Sequence, residues 1–144
     1  MHHLLLLLLQ TFLPWVLRSK VLTTAETEIT AELEVGFASV RERYVSRVTL
    51  GHPNRITAAA EDASLFKELV YTWRFTPGPT RAGGATTYVD VEVCYEFQNP
   101  LYGMLAAAAY DKVAQRMIKA FEDRATIVHG QSSIPESKAK TEPA

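Results

Sequence analysis

Tyr88-Val89-Asp90-Val91-Glu92-Val93-Cys94-Tyr95-Glu96-Phe97, running through Gln98-Asn99-Pro100 into Leu101-Tyr102, decides how this chain folds. Tyr88, Asp90, Glu92, Cys94 and Glu96 alternate with Val89, Val91, Val93, Tyr95 and Phe97. A period of two describes a strand with one apolar side and one wet or edge-facing side. After Asn99-Pro100 the period becomes helical and holds to about Val128. Tyr102, Ala106, Ala109, Tyr110, Val113, Met117, Ala120 and Phe121 make the apolar stripe. Asp111, Lys112, Gln115, Lys119 and Asp123 lie opposite. A curved antiparallel sheet closed by one long C-terminal helix encloses apolar space, which points to binding an apolar molecule rather than to catalysis.

Upstream, more strands are expected. Arg18 to Thr24 is a short candidate. In Glu28 to Phe37, Ile29, Ala31, Leu33, Val35 and Phe37 alternate with polar residues, as in a half-buried strand. Arg41 to Leu50 sets Tyr44, Ser46, Val48 and Leu50 against Arg43, Val45, Arg47 and Thr49. Gly51-His52-Pro53-Asn54 reads as a turn into a strand over Arg55 to Glu61. Asp62 to Phe66 then connects to Glu68 to Thr76, whose Leu69, Tyr71, Trp73 and Phe75 form the heaviest aromatic stripe. Pro77 to Gly84 is a hairpin loop; no GK[ST] follows its glycines, so it is not a phosphate cradle.

The chain's 144 residues, 47% of them hydrophobic and 22% charged, suit one domain with a single core. A net charge of −1 supplies no basic footprint, so no nucleic acid is expected as partner. Cys94 is the single cysteine, which excludes an internal disulfide and a CxxC site. His2, His3, His52 and His129 have neither metal-ligand spacing nor a nucleophile beside them. Asp90, Glu92 and Glu96 share a strand side that reads as exposed edge rather than as a paired-acid site. No catalytic residue, metal or cofactor is expected.

The two ends differ from the middle. Leu4 to Leu9 are six consecutive leucines, and the apolar stretch to Leu17 falls short of the roughly 20 residues of a bilayer span. No secretory or mitochondrial leader pattern is evident around it. Residues 1–11 therefore read as a leucine-rich segment, either buried on the fold or touching a membrane. Residues 12–128 read as the folded domain, and 129–144, rich in Gly, Ser, Pro and Lys, as a disordered tail.

Several segments, taken in order, point to a family. Ala31-Glu32-Leu33-Glu34-Val35-Gly36-Phe37, Glu42-Arg43-Tyr44-Val45-Ser46, Trp73-Arg74-Phe75, Asn99-Pro100-Leu101-Tyr102 and Ala120-Phe121-Glu122-Asp123-Arg124-Ala125 occur in that sequence. Together they resemble the coenzyme Q-binding proteins of mitochondria, in the START-like, polyketide cyclase/dehydrase superfamily. The resemblance covers roughly Phe12 to Ala125. It implies an α+β helix-grip fold, with a curved antiparallel sheet around the C-terminal helix. It also implies about six strands here, since no room precedes Phe12 for the family's first strand. On that reading Tyr88 to Phe97 is an unpaired sheet edge.

The resemblance further implies a ubiquinone or related prenyl quinone as ligand, held without chemistry by a carrier or chaperone. Such a carrier supports respiratory electron transport and ubiquinone biosynthesis from the matrix side of the mitochondrial inner membrane, with peripheral membrane contact. Each methylene of a buried tail contributes about 0.8 kcal/mol. The expected lining is Leu33, Val35, Phe37 and Tyr44 from the early strands, then Tyr71, Trp73 and Phe75. Val91, Val93, Tyr95 and Phe97 follow from the last strand, and Tyr110, Val113 and Met117 from the helix. Phenols at Tyr44, Tyr95 and Tyr110 suit a quinone carbonyl. Two alternatives stay open: a ribosome-associating module, as in bacterial members of the superfamily, and a cyclase or dehydratase.

Overall fold

A computed structural model describes residues 15–37, 40–51, 53–81 and 84–131, with the side chains of Phe37, Ala106, Ala108, Ala109 and Tyr110 outside the description. Six strands precede one helix: β1 (Val16–Thr24), β2 (Glu28–Phe37), β3 (Val40–Gly51), β4 (Arg55–Glu61), β5 (Phe66–Pro77), β6 (Thr87–Phe97) and α1 (Pro100–His129). The strands form one sheet in the order β1-β2-β3-β4-β5-β6, each antiparallel to its sequence neighbour. The sequence analysis places β2 and β4 at these bounds and the remaining strands within two residues of theirs. Phe66 is the exception in kind. It opens β5 rather than closing the preceding connection, because a register shift between Phe66 and Glu68 lets it pair with Phe97.

Register shows why the alternation matters. Leu33 lies opposite Tyr44, Ile29 opposite Val48, Ala58 opposite Tyr71, and Tyr71 opposite Val93. Every inward set therefore falls on one face of the sheet. There Ile29 and Val48 form one buried cluster, flanked by Val21, Leu50, Ile56 and Ala58. Leu33, Tyr44 and Leu69 form a second, with Val35, Ala60, Ala63, Phe66, Tyr71, Val93 and Tyr95 against it. Between them sit two small buried residues, Ala31 and Ser46, paired across β2 and β3.

The opposite face carries charge. Arg47 on β3 reaches Glu61 on β4 through Nε–Oε1 and Nη2–Oε2 contacts of 2.6 and 3.1 Å, and Glu28 on β2 at 2.5 Å. This fork ties three strands together through long side chains that remain partly exposed.

The connection from β4 to β5 is held by a buried carboxylate. Glu42, on the inward side of β3, is 5% exposed. It accepts the backbone N–H groups of Ser64 and Leu65 at 2.9 Å each, and the Ser64 hydroxyl as well. Asp62, at φ 54°, makes the left-handed bend that aims those donors inward, a conformation Asp tolerates better than most residues.

The helix is delimited as its sequence implies. Asn99 is extended and its Oδ1 accepts from the Leu101 N–H at 3.0 Å, with Pro100 in the first turn. Gly130, at φ 87°, ends it with an N–H to the Thr126 carbonyl at 2.9 Å. Among the described residues, no helix is long and apolar enough to cross a membrane.

Two stability measurements test these contacts. Glu42→Ala removes the acceptor of two part-buried backbone N–H groups and is expected to lower the unfolding free energy by about 2 kcal/mol. Glu42→Gln keeps one acceptor oxygen and should lose less, the comparison being read from urea midpoints. The second concerns Glu61, whose hydrogen bond to Arg47 holds its pKa below the ordinary 4.5. A depressed folded pKa contributes stability that is complete above the unfolded value and vanishes as pH falls through the folded one. Glu61→Gln should therefore flatten the acid limb of a stability–pH curve below about pH 4.5 while leaving its shape near neutrality unchanged.

Candidate ligand-binding face

The aromatic stripe of β5 and the inward residues of β6 meet in register: Leu69 with Tyr95, Tyr71 with Val93, Trp73 with Val91 and Phe75 with Val89. Alternation puts all of them on the face that α1 crosses. Two ring contacts fix the helix there. Phe97 and Tyr102 have centroids 6.3 Å apart, and Trp73 and Phe121 have centroids 4.4 Å apart with planes tilted by 54°. Phe97 also stacks on Phe66 at 4.6 Å and meets Tyr95 edge-on at 5.6 Å. Such pairs add about 0.5–1.5 kcal/mol beyond the area they bury.

Burial sorts the expected lining into two groups. Leu33 and Tyr44 are buried and belong to the core beneath the face rather than to its surface. Val35, Tyr71, Trp73, Phe75, Val91, Val93, Tyr95 and Phe97 on the sheet, with Val113 and Met117 on α1, are only half-buried. A continuous apolar surface that is neither closed nor fully exposed is what a long apolar guest would complete. Phe37 and Tyr110 were also expected to line it, and their side chains lie outside the described ones.

Tyr44 differs from the other phenols in its electrostatics. Burial, and then the neighbouring Tyr71 and Glu42, push its pKa well above the ordinary 10.0. The phenol is therefore a neutral group of the core. No described buried side-chain nitrogen or oxygen lacks a hydrogen-bond partner.

The carboxylates of β6 stand on the other side of the strand. Glu92 pairs with Arg74 at 3.0 Å and Glu96 with Lys67 at 2.8 Å, while Asp90 and Cys94 are exposed. This matches their reading as an exposed sheet edge. Within the sheet β6 has one neighbour, β5. No group of three or more His, Cys, Asp or Glu that could hold a metal occurs among the described residues.

Two functional features were missed by the sequence reading. Phe121 was placed on the helix stripe but not on the binding face. Its signal was its position four residues beyond Met117, which carries the stripe over β5. Glu42 was passed over, although a carboxylate between Val40 and Tyr44 puts a charge in the inward row of β3 and marks a buried acceptor.

With this geometry the comparisons with known proteins agree. The chain belongs to the polyketide cyclase/dehydrase and lipid transport family, whose model matches residues 8–122. Among curated relatives, it is 39% identical over 124 residues to the mitochondrial coenzyme Q-binding protein COQ10 homolog B of Xenopus laevis, a match covering 86% of this chain and 50% of that protein. The chain thus spans about half the length of that relative, and of the corresponding Drosophila melanogaster protein, at 32% identity. The ribosome association toxin RatA of Escherichia coli is 28% identical, over 82% of this chain and 72% of the toxin. A START superfamily protein from Mycobacterium smegmatis superposes with a TM-score of 0.71 at 14% identity, covering 85% of this chain and 83% of that one. A Streptomyces aromatase/cyclase superposes at 0.64 with 16% identity, covering 84% and 81%. The structural matches establish the START-like helix-grip fold that the ordered motifs imply.

Proposed function

We propose that this chain binds coenzyme Q, or a related prenyl quinone, along the face between the sheet and α1, as a carrier rather than an enzyme. The observation that carries this reading is the half-buried apolar row running from Phe97 to Trp73. It belongs to a chain that resembles proteins named for coenzyme Q binding. The tail gains most from such a surface, at about 0.8 kcal/mol per methylene covered. The head needs few polar partners, and Tyr95, half-buried beside Phe97, is the phenol best placed to meet a carbonyl. The carrier acts at the mitochondrial inner membrane on its matrix side, where it supports respiratory electron transport and ubiquinone biosynthesis.

A carrier of this kind takes its cargo from a bilayer, and the start of α1 is suited to that contact. Leu101, Met104 and Leu105 are 67%, 74% and 68% exposed, within two turns of Tyr102 and its ring contact with Phe97. Large apolar groups held in water beside the binding face favour a lipid surface.

The similarity to the ribosome association toxin supports a second reading, binding to ribosomes through the same domain. The net charge of −1 favours the lipid reading over an RNA partner.

Purified protein should release a prenyl quinone on solvent extraction, detected by mass spectrometry in near-stoichiometric yield. Recovery of no quinone from folded protein, or co-sedimentation with ribosomes in its place, overturns the carrier reading. In a liposome flotation assay, replacing Leu101, Met104 and Leu105 together by Ser should cut the bound fraction several-fold. Equal flotation removes the proposed membrane contact and leaves quinone binding standing.

A further inference from the structure

The two ring bridges between α1 and the sheet bound the half-buried row that runs from Phe97 to Trp73. Tyr102 meets Phe97 where β6 ends and α1 begins, and Phe121 meets Trp73 far along the helix. Trp73 is paired with Val91, six residues before Phe97 on β6. At a strand rise of about 3.3 Å per residue, the bridges stand roughly 20 Å apart along the sheet. The floor between them carries Tyr71, Val93 and Tyr95, and the helix carries Val113 and Met117 above it, all half-buried. At 4.4 Å between centroids, Trp73 and Phe121 are in van der Waals contact, and no chain passes between them.

The geometry points to the Trp73–Phe121 pair as the end wall of the binding face, fixing how much of a prenyl tail the protein covers and hence which tail lengths it prefers. This rests on the quinone-carrier reading and adds to it a specificity-determining pair. A tail entering beside Phe97 runs along the floor to the rings, and isoprene units beyond that length stay in water. Longer tails then gain nothing over tails that just fill the span. Removing either ring lets the tail continue along the sheet toward Phe75 and Val89.

The test offers the full chain an equimolar mixture of a short-tailed and a long-tailed ubiquinone and measures the bound ratio by mass spectrometry. Trp73→Leu and Phe121→Leu should each raise the long-to-short ratio about tenfold, the gain that two further covered methylenes bring. Val113→Phe adds a ring between the bridges and should move the ratio the other way, which keeps the test decisive if Trp73→Leu fails to fold by circular dichroism. If folded Phe121→Leu and Val113→Phe proteins both keep the parent ratio, the end wall is wrong while the carrier reading survives. If the parent binds neither quinone, the carrier reading falls and the end wall with it.

Discussion

A single helix is asked to cover six strands. At a spacing of about 4.8 Å, six strands make a sheet roughly 24 Å wide, whereas a helix with its side chains is about 10–12 Å across. The alternation that builds β2, β3, β5 and β6 sends most of the large apolar side chains to one face. Part of that face therefore stays uncovered by α1 however well the helix packs. The core settles under β2, β3 and β5, at Ile29, Val48, Leu33, Tyr44 and Leu69, and the uncovered remainder falls along β5 and β6. The proposed binding face is the part of the sheet that its own helix is too narrow to close.

The rest of the molecule follows from keeping that face available. Apart from the buried Glu42, the described ion pairs of the sheet lie on the opposite side, where Arg47 joins Glu28 and Glu61, and Arg74 and Lys67 pair with Glu92 and Glu96 of β6. Partly exposed pairs of this sort add little stability, but they leave the outer strand with a row of solvated side chains. An edge strand dressed with charge resists pairing with other sheets. Aggregation is thereby discouraged at the strand that carries Val91, Val93 and Tyr95 on its other side.

The strands, their facing and the limits of α1 were legible because each rests on a local rule. Period two fixed the inward residues of β2, β3 and β6, and Asn99-Pro100 marked the start of a helix whose period held to about Val128, one residue short of its end at His129. The family was legible from ordered motifs, where no single motif was specific. What could not be read was which inward residue becomes core and which stays accessible. Tyr44 and Tyr95 look alike in sequence, each an aromatic at an inward position. Only the register separates them: Tyr44 lies on a central strand opposite Leu33, and Tyr95 on the outermost strand. The ring contact of Phe121 with Trp73 spans 48 positions of chain, and no periodicity encodes it. Glu42 is a similar case, since its donors belong to residues more than twenty positions away.

The strand order has a kinetic meaning. Among the described strands, each lies beside the one synthesised just before it, so each of these ladders closes over a short loop. Pairing between sequence neighbours keeps the loop that each ladder must close short, which favours quick zippering. The sheet can grow hairpin by hairpin from the amino-terminal side as the chain emerges. The helix comes last and docks onto a platform already in place, which spares the apolar stripe of β5 and β6 a long wait in water.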